Sequence, residues 1–170
     1  ARTLLEEAGG VKAAGQITLL YDSTDETAAR TAAAVQDAWK QKLGLIAILR
    51  GATAQELADA LNQGEFMVAL TTVTADRGDA SGLLSLWESG NGYFYSTAYD
   101  MLLRAADASG HVEVRDAYLE DAEAMLVEDS WVIPLYYVHR HSGLAQQLTA
   151  PLYDGTGVYR FSAVVRQTPQ

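Results

Sequence analysis

Cysteine is absent from this 170-residue chain. That excludes thiolate nucleophiles, disulfide staples and cysteine-ligated zinc, and leaves the cellular compartment open. Basic residues are scarce: 12 Lys and Arg stand against 22 Asp and Glu, for a net charge of −10. Nucleic-acid binding needs Lys and Arg to displace counterions from phosphates, and anionic membrane surfaces select the same side chains, so the charge argues against both partners. No apolar run approaches the roughly 20 residues that span a bilayer. No signal segment is visible; the chain opens on Ala1, as expected of a processed or excised piece. Histidine is limited to His111, His139 and His141. None sits in a nucleophile motif such as Gly-x-Ser-x-Gly. His139 and His141 alternate and would share one face of a strand, but no third ligand stands at a telling spacing, so they read as surface residues.

What the chain does have is apolar content, 49% of its residues, enough for one domain or one lobe of a larger protein. After a short helix from Arg2 to Ala8, Ile17–Tyr21 reads as a first strand. The glycines between Gly9 and Gly15 precede that strand rather than follow one, which is the wrong context for a dinucleotide loop. Ser23-x-x-Glu26 has the form of a capping box, and Ala28, Ala32, Val35 and Trp39 make one apolar stripe of a helix ending at Gly44. Leu45–Leu49 reads as a second strand. Thr53-x-x-Glu56 is a second capping box, and Gly64 closes the helix it begins. A third strand follows. The order β-α-β-α-β with short connections predicts an α/β fold, with a mixed, largely parallel sheet flanked by helices. Further along, helices are predicted near Ser81–Glu88, from Thr97, and over Val112–Glu128. Strands are predicted over Trp131–His139, with Pro134 marking an edge or bulge, and over Val158–Val165.

The third strand organises the rest. Phe66–Val73 is a β-branched, apolar run that reads as buried on both faces. It ends in Thr74-Ala75-Asp76 and then the polar turn Arg77-Gly78-Asp79. Ligands of open α/β sheets sit beyond the carboxyl ends of strands, so Asp76 is the candidate site residue; its other reading is a strand stop or turn cap. The aromatic run Tyr93-Phe94-Tyr95 lines a site or packs its loop onto the core.

The segment GEFMVALTTVTAD resembles the central stretch of the bacterial ABC-transporter solute-binding proteins of the oligopeptide-, dipeptide- and nickel-binding class. The later stretches LLSLWESGN from Leu83, Tyr99-Asp100-x-Leu102-Leu103 and Ile133-Pro134-Leu135-Tyr136-Tyr137 fit the same family in the same order. The chain departs from it at Val73, where the family carries Trp, and at Arg77, where it carries Tyr. The resemblance implies one lobe of a periplasmic-binding-protein-like (class II) fold. Residues 1–150 would be the ligand-binding lobe, and 151–170 a tail returning to the first lobe. It further implies capture of a peptide in a cleft between two lobes, on behalf of ABC permease subunits. Ligand contacts would come from Val73, Thr74, Ala75, Asp76 and Arg77, with the Asp76 carboxylate on the peptide's α-ammonium. The protein would be exported, periplasmic or a cell-surface lipoprotein whose lipid anchor lies outside this chain. Neither an enzyme nor a cofactor site is expected.

Two other classes remain. An α/β enzyme of the receiver or phosphatase type would use Asp22, which follows the first strand, but Asp22-Ser23-Thr24-Asp25 also starts a capped helix and no Gly-rich phosphate loop accompanies it. A stand-alone interaction domain would need no pocket.

Overall fold

The computed structural model describes residues 1–75, 77–91, 94–138, 145–146, 148, 152–153 and 159–166. They form two compact units, Ala1–Thr72 with Asn91–Tyr93, and Val73–Gly90 with Phe94–Gln170.

The first unit opens with two short helices, α1 (Arg2–Glu7) and α2 (Gly10–Ala14), then runs β1 (Ile17–Asp22), α3 (Glu26–Leu43), β2 (Ala47–Ala52), α4 (Ala54–Gln63) and β3 (Val68–Leu70). The sheet is parallel with β1 in the middle, in the order β2-β1-β3. Adjacent residues of a strand face opposite ways, yet Leu19 and Leu20 are both only 2% exposed, so both faces of β1 are covered. Leu20 packs with Ala52 and with Leu57 and Ala60 of α4, joined by Leu61, Phe66 and Ala69. The stripe of α3 bears out its spacing: Ala32 is fully buried, Ala28, Val35 and Trp39 are half-buried, and Gln36 Nε2 donates to the Ala47 carbonyl at 2.6 Å. Gly44 and Gly64 end α3 and α4 in the left-handed conformation that glycine adopts without strain.

Several sequence expectations are corrected here. The Thr53–Glu56 capping box forms in full, but the one at Ser23 does not. The Ser23 hydroxyl donates instead to the Ala52 carbonyl at 3.0 Å, and Asp25 caps α3 by accepting from the Thr27 amide at 2.7 Å. The second strand lies two to three residues later than its apolar run, because register pairs Ile17 with Ala47 and Asp22 with Ala52, drawing Arg50 and Gly51 into the ladder. The third strand is shorter, Val68–Leu70, and only half-buried; among the described residues it ladders with β1 alone, from Leu19–Val68 to Tyr21–Leu70, and so lies at the edge of their sheet. α2 carries no helical spacing long enough to read from sequence.

The second unit holds α5 (Ser81–Leu84), which runs on as a 3₁₀ turn to Trp87, then α6 (Thr97–Ala108) and α7 (Val112–Glu128). Its core is Leu84, Phe94, Tyr99, Leu103, Ala106, Leu119, Ala122 and Leu126. Of α7, Leu119, Ala122 and Leu126 are buried, whereas Val114 is 46% exposed. Residues 131–138 form no ladder among the described residues, contrary to the expected strand; Trp131 packs edge-on to Phe94 instead, with ring centres 5.2 Å apart. In place of one last strand there is a short antiparallel pair, β4 (Leu152–Tyr153) with β5 (Tyr159–Arg160), then a 3₁₀ turn over Phe161–Ala163. His139, His141, Ala150 and Val158 lie outside the described residues. No helix among the described residues is long and apolar enough to cross a membrane.

Candidate functional site

β3 ends where its register with β1 ends, Leu70 opposite Tyr21, and the chain leaves the carboxyl edge of the sheet through Thr71 and Thr72. The next residues open the second unit and are the expected ligand segment. Val73 is 43% exposed, Thr74 and Arg77 are exposed, and Ala75 is half-buried. Asp76, the residue on which the sequence reading centres, lies outside the described residues, as does Tyr93. The aromatic run divides: Phe94 is a core residue at 5% exposure, edge-on to Tyr99, whereas Tyr95 is 79% exposed.

The segment runs straight into a turn that is fastened on all sides. Oδ1 of Asp79 accepts from the Ser81 amide at 3.0 Å and from the Ser81 hydroxyl. Oδ2 of Asp79 accepts from the Arg115 guanidinium of α7 at 2.7 Å. The same guanidinium reaches Ser81 Oγ at 3.1 Å, the Ala106 carbonyl at 3.1 Å and Asp107 at 3.3 Å. Gly82 closes the turn. A Cβ there would sit 2.7 Å from the Arg77 nitrogen and 3.0 Å from its carbonyl oxygen, a contact with backbone that no side chain can relieve. Sequence reasoning missed Asp79, Ser81, Gly82 and Arg115. Asp-x-Ser ahead of a short helix is a local signal for the turn; nothing in the sequence points to Arg115.

The network sets the charge state of Asp79. The Ser81 hydroxyl first, and the Arg115 guanidinium next, hold its carboxyl down at about 2, against the usual 3.8. A folded-state value below the unfolded one means stabilisation that is complete above the unfolded pKa and lost as pH falls through the folded one. The pair is half-open to water, with Asp79 48% exposed, so screening reduces the effect. Acid titration of stability should therefore show a wild-type loss between about pH 4 and pH 2 that Asp79→Asn lacks. Identical acid limbs for the two proteins would remove Asp79 from the balance.

Asp22 is engaged elsewhere. It accepts from the Thr24 amide at 2.8 Å and the Thr24 hydroxyl at 2.6 Å, which lowers its pKa and closes the turn into α3.

The periplasmic murein peptide-binding protein MppA of Escherichia coli K12 is 34% identical over 141 residues, 80% of this chain and 26% of its own. The probable deoxycholate-binding periplasmic protein YgiS of the same organism is 30% identical over 142 residues, 81% of this chain and 26% of its own. The solved structure of the E. coli murein tripeptide-binding protein MppA superposes with a TM-score of 0.81 at 27% identity, covering 99% of this chain and 34% of that one. The chain thus spans about a quarter of the length of the curated relatives it matches. Residues 1–95 match the family described as bacterial extracellular solute-binding proteins, family 5 Middle, and the chain belongs to that family.

Proposed function

We propose that this chain supplies one wall of a ligand cleft in a two-lobed ABC-importer solute-binding protein, and that the ligand is a peptide. The observation that carries the reading is the likeness to the murein peptide-binding protein, in sequence over 80% of the chain and in fold over nearly all of it. Val73, Thr74 and Arg77 are exposed and follow in sequence the strand that ends the parallel sheet, and the carboxyl ends of such strands are where α/β sheets receive ligands. Residues 1–150 are the ligand lobe, and the tail from 151 returns to the first lobe. The partners are the permease subunits of the importer. The setting is exported, periplasmic or cell-surface, with any lipid anchor outside this chain. The activity is capture rather than catalysis, and Asp22 serves its own turn through Thr24.

In this reading Asp76 binds the α-ammonium of the peptide, with Thr74, Ala75, Val73 and Arg77 around it. Every peptide with a free N-terminus carries that ammonium whatever its side chains, so one carboxylate recognises all of them. A charge-assisted hydrogen bond of this kind contributes about 1.5–3 kcal/mol, most in a closed cleft that excludes water. The test is calorimetry on the complete two-lobed protein with trialanine and its N-acetylated form. Wild type should prefer the free amine by roughly tenfold or more, and Asp76→Asn should erase most of that preference. Equal wild-type affinities would remove Asp76 from the site.

A second ligand class has its own support. One relative is named for deoxycholate, whose carboxylate would suit the exposed Arg77, and Val73 leaves more room than a tryptophan. Deoxycholate belongs in the same titration. Binding of deoxycholate without binding of either peptide would move the ligand from peptides to amphipathic acids.

A further inference from the structure

Arg115, on α7, stands 36 residues from Asp79 and belongs to none of the sequence stretches quoted above for the family likeness. Its guanidinium uses two nitrogens on four acceptors. Nη1 serves the end of α6, at the Ala106 carbonyl and Asp107, and Nη2 serves the turn before α5, at Asp79 and Ser81. Only the planar fork of arginine reaches both sides at once; a lysine offers one point charge. The turn needs that support. α5 is four residues long, too short to hold itself, and its start is organised by the Asp79 carboxylate, both of whose oxygens are taken, one by Ser81 and one by Arg115. The next residue, Gly82, lies against the Arg77 main chain with no space for a methyl group.

We propose that Arg115 is a positioning residue for the ligand segment, fixing its backbone at Arg77 through Asp79, Ser81 and Gly82 without touching the ligand. The role as ligand wall rests on the function proposed above; the mechanical link does not. Arg115 is 22% exposed and its guanidinium is engaged by Asp79, Ser81, Asp107 and the Ala106 carbonyl, so it acts by holding the turn in place. A contact segment displaced by even an ångström loses binding out of proportion to the contact that moved it.

The link is tested without ligand by hydrogen exchange on the chain itself. Arg115→Met should speed exchange of the Thr74, Ala75, Arg77 and Gly78 amides by about tenfold or more, with β1 amides little changed. Gly82→Ala, which pushes on Arg77 from the other side, should give the same local pattern. Unchanged exchange at those four amides, or a rise shared equally with β1, would overturn the proposal, since a merely structural arginine loosens everything together. Should Arg115→Met fail to fold, Asp79→Asn carries the same readout, because it breaks the carboxylate–guanidinium pair and leaves the arginine in place. In the complete two-lobed protein, Arg115→Met should also weaken trialanine binding severalfold; unaltered affinity would overturn the positioning role. A wild type that binds no trialanine would instead overturn the peptide reading, and the exchange experiment would still decide whether Arg115 holds the segment.

Discussion

Tyr99→Ala should lower the unfolding free energy by about 3–5 kcal/mol, the usual cost of deleting a fully buried aromatic ring. Tyr99 has no exposed surface and packs edge-on to Phe94, with ring centres 5.2 Å apart; Phe94 in turn packs edge-on to Trp131. Its hydroxyl donates to the Leu84 carbonyl at 2.7 Å, which ties α6 to the end of α5. Burial first, then the neighbouring charges of Asp100 and Glu88, push the phenol well above its ordinary pKa, so it stays a neutral donor at any working pH. Tyr99→Phe separates the two contributions. It keeps the ring and removes only the hydroxyl's bond to the Leu84 carbonyl, for roughly 0.5–1.5 kcal/mol. Urea unfolding followed by tryptophan fluorescence reads both variants, since Trp87 and Trp131 lie at this core. A Tyr99→Ala loss below about 2 kcal/mol would mean that the core collapses around the gap or that Tyr99 is not its centre.

Elements specified by neighbours in sequence were legible, and elements specified by distant partners were not. The Thr53–Glu56 capping box closes within three residues and forms as expected. Ser23 has the same motif, but its hydroxyl is taken by a carbonyl 29 residues away on β2, and no local pattern reveals that competition. β2 was displaced for a related reason. Its limits follow β1 across the ladder, and the added residues Arg50 and Gly51 carry no apolar signal. Residues 131–138 have strand-like composition and no ladder among the described residues; β-propensity is a preference for a half-buried pleated surface and still needs a partner to pair with. The Tyr93-Phe94-Tyr95 run shows how little composition says about fate: Phe94 is core and Tyr95 is open to water. In the candidate segment, Val73, Thr74 and Arg77 are exposed, and Asp76, on which the carboxyl-end rule centres, lies outside the described residues. The fastening of the turn after it was not legible, because the Asp79–Arg115 pair spans two elements and leaves no periodic trace.

Leu20→Ala should be nearly as costly as the loss of Tyr99, toward the upper part of the about 2–5 kcal/mol range for buried leucine. Leu20 is 2% exposed on the central strand, with Arg50 beside it on β2 and Ala69 on β3. The cost depends on how well neighbours can fill the space left behind. Here the surroundings include Ala52, Ala60 and Ala69, whose short side chains are fixed to strand and helix backbone and cannot swing inward. Leu57, Leu61 and Phe66 are the only large side chains of the cluster able to move. Two controls bracket the expectation. Leu20→Met conserves volume and should cost under about 1.5 kcal/mol. Ile48→Ala, in the same sheet but 43% exposed, should cost less than Leu20→Ala by at least about 1 kcal/mol, since much of its side chain is never taken out of water. β1 carries both ladders, so amide exchange at Leu19, Leu20 and Tyr21 should rise together in Leu20→Ala. If Leu20→Ala costs no more than Ile48→Ala, the cluster around Leu20 is not what holds the sheet.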